Sequence, residues 1–364
     1  MIVANLAYRP LRSLISIIAV AVEVTLILLI VGLATGMLND TKRRQQGTGA
    51  DVIVRPPGSS AILGLTGAPV SIKVADILRK QPHVVAVSPV AAQLISGGNL
   101  EVIYGIDIPS FDSVGGPFHY LEGGAFHGPD DMLVDDYFAA AHKIHPGATV
   151  ELLNHQFKVS GVVENGRGAR RFIPIKTMQD LIGAPDKASI FYVKLDDPNN
   201  AEAVTAQIKT IPGMRDYSVM SMRELVSQMT PERLPGLSTF INVVVGIAVV
   251  IGFIVIFQSM YTAVMERTRE IGILKSLGAS KFYIVRIILR ETLLLAVAGI
   301  LVGMAVSFIV QPILGQKFPT LPVEITKGWL LRAAIVAVVG AILGAIYPAY
   351  KAAQKDPIDA LAYE

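Results

Sequence analysis

The sequence predicts a membrane protein with four transmembrane α-helices and a large α+β extracytoplasmic domain between the first two. Three observations carry this. Of 364 residues, 52% are apolar and only 17% charged, whereas soluble domains run closer to a quarter charged. Four apolar runs each reach the ~20 residues that a helix needs to cross the hydrocarbon core. Between the first run and the other three, residues 40–236 mix short strand and helix patterns.

The first element covers residues 1–39, an N-terminal interfacial segment followed by a span at 14–38, LISIIAVAVEVTLILLIVGLATGML. Arg9 and Arg12 precede it, as in a signal peptide. Its apolar run is too long for a signal h-region, and no small-x-small cleavage site follows, so an uncleaved anchor is expected. Glu23 falls near the middle, where a charged carboxylate costs roughly 2.5–3.5 kcal/mol on insertion scales. It is expected to face a protein interior or polar cleft. A helix–helix hydrogen bond and contact with a lipid headgroup or entering substrate are both open to it.

In 40–236, "ADVIVRP" alternates like a strand, "VSIKVADILRKQP" reads as a helix closed by Pro82, and "HVVAVSPV" and "LEVIYGIDI" read as strands. A Gly-rich, strand-rich section follows, and "ASIFYVKLDD", "NAEAVTAQIKTIPG" and "DYSVMS" close the domain as strand, helix and strand. The order is a split βαββ/βαβ lobe with a β-rich lobe inserted at about 110–187. Residues 237–350 hold the spans at 237–262, 287–312 and 329–350, with a charged segment at 265–284, and 351–364 form a tail.

Other classes are set aside. Net charge is only +3, without a dense basic block, so nucleic acid is not an expected partner. There is no cysteine, which removes disulfides and thiolate chemistry. No G-x-x-x-x-G-K-[ST] loop occurs, so if ATP powers this protein another chain binds it. Five of the six histidines fall within 119–155, but no third ligand is suitably spaced beside His142 and His145. No catalytic, cofactor or metal residue is therefore assigned.

Lysine and arginine near the span ends set orientation. With the N-terminus inside, nine such residues flank the spans inside and six outside, although Lys42, Arg43 and Arg44 run against the rule. Three spans carry G-x-x-x-G, at Gly32/Gly36, Gly299/Gly303 and Gly340/Gly344, a spacing that lets helix backbones approach closely. The loop "ENGRGARRF" presents Arg167, Arg170 and Arg171, either to dock an acidic partner or lipid headgroup or as a solvated hairpin tip.

Segment 265–284 is charged and half apolar. In "REIGILKSLGAS", Ile271, Leu274 and Gly278 share a helical face with Ile273 and Leu277 beside it, while Glu270, Lys275 and Ser276 lie elsewhere. Gly278 suits a C′ terminator and Ser280 a cap for the following helix. Such a helix either anchors the loop at the interface or offers its charges to a partner.

The run "ERTREIGILKSLGAS" closely resembles the loop of FtsX-like permeases, the membrane subunits of MacB-type ABC transporters. The C-terminal "YPAYKAAQKDPIDALAYE" matches that family's ending, and "NLAYRPLRSLISIIAVAV" resembles its first span. "LVDDYFAAAHKIHPGATVELLNHQFKVSGVV" resembles its periplasmic domain. The resemblance implies a multi-pass protein of the bacterial inner membrane, N- and C-termini cytoplasmic, working as a dimer, expected to be a homodimer. A separate cytoplasmic ATPase would bind ATP and Mg and hold the loop helix, which maps onto 266–280. Glu266, Arg267, Arg269, Glu270, Ile271, Gly272, Leu274, Lys275, Leu277 and Gly278 are its candidate contacts, with Gly272 allowing close approach.

The implied activity is mechanotransmission: hydrolysis drives a periplasmic change that exports or extracts a lipid, lipoprotein, peptide or hydrophobic compound. A periplasmic adaptor or substrate protein and membrane lipids are further partners. The alternative is a transmembrane signal transducer that regulates a periplasmic partner such as a cell-wall hydrolase. The family generally has a small residue near Glu23, so that position is a departure.

Overall fold

The computed structural model describes residues 10–59, 67–96, 100–234 and 236–355. The expected N-terminal residues 1–9 and the end of the tail, 356–364, lie outside the described residues. The chain divides into two units, one holding the apolar helices and one made of residues 37–235 with the short stretch 317–322.

The four apolar helices are α1 (Pro10–Gln46), α8 (Leu237–Glu266), α10 (Lys281–Lys317) and α11 (Lys327–Gln354). All four are long and apolar enough to cross a membrane. Each is longer than its apolar run, because helical backbone continues past the stretch that hydrocarbon demands. α1 continues beyond residue 39 to Gln46, so Lys42, Arg43 and Arg44 sit on helix and not at a loop edge.

The bundle packs through small residues. A Cβ on Gly299 would meet Val20 Cβ at 2.6 Å, and one on Gly303 the Ala21 carbonyl oxygen at 2.7 Å, so α10 crosses α1 there. Gly344 faces the Phe253 carbonyl oxygen of α8 at 2.9 Å in the same sense, and Ala337, Ala341 and Ala345 bury the rest of that α11 stripe. Backbone approach of this kind replaces the hydrophobic drive that lipid cannot supply. Gly32 accepts a backbone hydrogen bond from Glu324 at 2.9 Å, and Gly36 is buried. The Ser16 and Ser259 hydroxyls bond at 2.6 Å between α1 and α8.

Among the described residues the α/β unit has twelve strands: β1 (Val52–Arg55), β2 (Val70–Ser71), β3 (Val84–Ser96), β4 (Leu100–Ile106), β5 (Tyr120–Gly123), β6 (Asp131–Asp135), β7 (Thr149–Leu152), β8 (His155–Val163), β9 (Arg171–Pro174), β10 (Lys187–Ala188), β11 (Ile190–Leu195) and β12 (Ser218–Ser221). Ten form one sheet in the order β12-β1-β11-β3-β4-β9-β6-β8-β5, with β7 beside β8. β3 joins its two halves: residues 84–90 pair with β11 and residues 91–96 with β4. Helices α2 (Val74–Arg79), α3 (Ile108–Gly115), α4 (Asp136–His142), α5 (Ile175–Leu181) and α6 (Ala201–Thr210) lie between strands, and α7 (Met222–Gln228) follows the last strand. Three apolar clusters hold the unit, built around Phe111, Phe172 and Tyr192, around Val54, Phe191 and Ile208, and around Ile103, Phe157 and Ile173.

Candidate functional site

The chain between α8 and α10 folds as a short helix, α9 (Thr268–Ser276). Arg267, at φ −107° and ψ 17°, breaks it from α8. Gly278 ends it at φ 94°, a left-handed conformation that only glycine adopts freely. Gly278 N–H donates to the Lys275 carbonyl and Ala279 N–H to the Leu274 carbonyl, both at 3.0 Å, which closes a Schellman motif. Ser280 Oγ then accepts from Tyr283 N–H at 3.2 Å and starts α10. The segment between α8 and α10 is therefore not one unbroken helix running into the spans. It is interrupted on both sides.

Side chains make up for the breaks. Arg267 Nη1 donates to both carboxylate oxygens of Glu291 on α10, at 3.1 and 3.3 Å, and both side chains are largely buried. Lys275 Nζ donates to the Ala353 carbonyl at 3.1 Å and to the Lys355 carbonyl, capping the end of α11. Thr268 and Gly272 are buried, and Ile271 and Leu274 pack on the bundle core.

This sorts the ten sequence-derived contacts. Arg269, Glu270, Leu277 and Gly278 face outward, as does Glu266 at the end of α8. Arg267, Ile271, Gly272, Leu274 and Lys275 face or bind the chain's own helices, so Gly272 offers no approach to an outside partner. The apolar stripe that remains exposed is Ile273 (44%) and Leu277 (79%), continued by Phe282 (75%) and Tyr283 (50%). Ile273, Phe282 and Tyr283 were outside the sequence-derived set of contacts. The i, i+4 series Arg269, Ile273, Leu277 was the signal available for this face.

The basic loop also turns inward. Arg167 donates to the Gly115 and Gly116 carbonyls at 2.8 and 2.7 Å and lies 4.7 Å over the Phe118 ring. Arg171 binds Glu101 with two hydrogen bonds, at 3.1 and 2.8 Å. Arg170 reaches Asp40 at 2.8 Å, Asp135 at 3.2 Å and the Thr320 carbonyl at 3.5 Å. Docking of an acidic partner by these three arginines is thus corrected: their guanidiniums are spent inside the unit. Asp135 also caps α4 through Phe138 N–H at 2.6 Å. Burial pushes its carboxyl up to about 7, against the pull of Arg170 and the Phe138 amide. His142 and His145 have separate partners, the Phe138 carbonyl and Glu122.

Glu23 is buried in the bundle, 4% exposed. A Cβ on Gly252 of α8 would fall 1.9 Å from its Oε2, and one on Gly340 of α11 would fall 4.0 Å from its Oε1. The carboxyl thus occupies the slot left by Gly252, with Gly340 at ordinary contact distance. Its Oε1 has no hydrogen-bond partner among the described residues.

Known proteins match this arrangement along the chain. A family model described as MacB-like periplasmic core domain matches residues 13–211, and one described as FtsX-like permease C-terminal matches residues 242–357. The uncharacterized ABC transporter permease YknZ of Bacillus subtilis is 32% identical over 60% of this chain and 55% of its own length. The macrolide export ATP-binding/permease protein MacB of Neisseria gonorrhoeae is 26% identical over 99% of this chain and 60% of its own. The chain thus spans little more than half of these two relatives. The uncharacterized permease YvrN of Bacillus subtilis is 24% identical, over 98% of this chain and 97% of its own.

Proposed function

Because the chain belongs to the ABC transporter permease family that joins a MacB-like periplasmic core domain to an FtsX-like permease region, we propose that it is the permease half of a mechanotransmitting transporter. A separate cytoplasmic ATPase binds ATP and Mg and grips α9. Its stroke passes through the bundle to the α/β domain on the periplasmic side, which exports or extracts a lipid, lipoprotein, peptide or hydrophobic compound. The macrolide export named for one relative supports the last of these. The protein sits in the inner membrane with both termini cytoplasmic, and two copies form the working unit. A periplasmic adaptor or substrate protein completes it.

The exposed stripe Ile273, Leu277, Phe282 and Tyr283 carries this reading. It stands clear of the bundle core, on α9, the segment after it and the first turn of α10. Burying such a side chain in a partner's cleft contributes about 1.5–3 kcal/mol each. Arg269 and Glu270 beside it supply polar contacts that fix register. The pins from Arg267 to Glu291 and from Lys275 to the end of α11 turn movement of α9 into movement of α10 and α11.

The test is reconstitution with an ABC ATPase that co-purifies with this chain. Ile273→Asp/Leu277→Asp is expected to weaken motor binding at least tenfold and to abolish coupling of hydrolysis to cargo release. Undiminished binding and coupling in that variant would refute the proposal. Coupled hydrolysis that activates a bound cell-wall hydrolase and releases no cargo would assign the chain to signalling instead.

A further inference from the structure

Arg286 and Arg290 lie four residues apart on α10, so their Cβ atoms are stacked ~6 Å apart on one side of the helix. Both are exposed, and neither has an ion-pair or hydrogen-bond partner among the described residues. The acid next to them offers no relief. Glu291 is buried on the other side of α10 and is committed to Arg267. Lys281, also exposed, adds a further positive charge five residues before Arg286, at the start of the helix.

The same face changes character along the helix. It begins with the exposed ring of Tyr283, passes the two guanidiniums, and continues through Leu293, Leu294, Val297 and Leu301, all 40% exposed or more. From Arg290 to Leu301 is ~16 Å at 1.5 Å per residue. The opposite face, with Ile284, Ile288, Thr292 and Leu295, is the one buried in the bundle. Cationic headgroup contacts followed by a run of aliphatic surface match one chemistry in one order: an anionic headgroup with an acyl chain behind it. A soluble motor would match only the first part.

We propose that this face of α10 binds an anionic phospholipid, with its phosphate between Arg286 and Arg290 and an acyl chain along Leu293, Val297 and Leu301. Guanidinium forks suit phosphate oxygens geometrically, and an arginine at the edge of hydrocarbon needs such a partner. The inference rests on the proposed function only in assigning this leaflet to the cytoplasmic side.

Native mass spectrometry of the full chain, released without motor from nanodiscs of equal phosphatidylglycerol and phosphatidylcholine, tests it. Wild type is expected to retain phosphatidylglycerol preferentially. Arg286→Gln/Arg290→Gln should cut that preference by about fivefold for each cation removed. Arg286→Lys/Arg290→Lys should keep most of it, and Lys317→Gln/Lys327→Gln, at the other end of the spans, should change nothing. Equal retention of both lipids by wild type overturns the proposal, as does an unaltered preference in the double glutamine variant. If that variant keeps its lipid preference here but fails to bind the motor in the reconstitution above, the proposal falls and the two arginines belong to the motor interface. Because no motor is present in the lipid measurement, its failure is separable from failure of the coupling reading.

Discussion

Arg170 Nη2 donates to Asp40 Oδ2 at 2.8 Å, joining the end of α1 to a loop 130 positions later in the chain. The same guanidinium holds Asp135 at the end of β6 and the Thr320 carbonyl in the connection from α10 to α11. Arg44 and Asn165 complete the shell around Asp40, at 3.1 Å each. Arg170→Ala leaves two carboxylates buried without this partner, which costs about 3–5 kcal/mol. Denaturant unfolding of the full protein, followed by circular dichroism, should show that loss. Arg170→Lys should recover less than half, since one ammonium cannot reach three acceptors in a fixed fork. A wild-type midpoint for Arg170→Ala would contradict the role.

Asp135 makes the stability of this unit depend on pH. Its carboxyl is raised from 3.8 to about 7 by burial. With the folded value above the unfolded one, its contribution is full below about pH 4 and is lost as pH rises through 7. Between pH 5 and pH 8 wild type should therefore lose about 2–3 kcal/mol relative to Asp135→Asn. Urea unfolding of both proteins at the two pH values checks this, and parallel curves would contradict it.

Glu23 and Gly252 should be energetically coupled. Gly252→Ala drives a methyl into the carboxyl and should destabilise the bundle by about 1–3 kcal/mol. In Glu23→Ala the slot is empty, so adding Gly252→Ala should cost far less than it does alone, with a coupling of roughly 1 kcal/mol or more. Melting temperatures of the four proteins in detergent form the cycle. Additive losses would place the two groups out of contact.

The chain contains no cysteine, so single thiols can report topology. Leu277→Cys should react with a membrane-impermeant maleimide in inverted vesicles and not in spheroplasts. A thiol at Asp197, in the loop after β11, should show the reverse. The opposite pattern would invert the proposed orientation.

Much of the architecture was legible, and the gaps have physical causes. Four spans could be read because each needs only a sustained apolar run, a property local to the segment. The β-α-β-β order of the α/β unit followed from alternation in the same way. The inward turn of Arg170 could not be read, since its partners Asp40 and Asp135 are remote in sequence and the loop by itself looks like any basic hairpin. On α9, periodicity revealed an amphipathic helix but not which apolar stripe the bundle covers. Ile271 and Leu274 go in, while Ile273 and Leu277 stay out. Lys42, Arg43 and Arg44 lie on helix that continues past the apolar run, with Arg44 paired to Asp40 on its last turns, a continuation that a hydropathy run does not mark.

The most direct test of coupling is a distance measurement. Spin labels on single cysteines introduced at Glu122 and Lys209 of the α/β domain, in the reconstituted complex with its ATPase, should report a shift when ATP is bound and hydrolysis is blocked. The account predicts that the shift appears with wild-type α9 and vanishes in Ile273→Asp/Leu277→Asp. Identical distances with and without ATP in a complex that still holds its motor would contradict it.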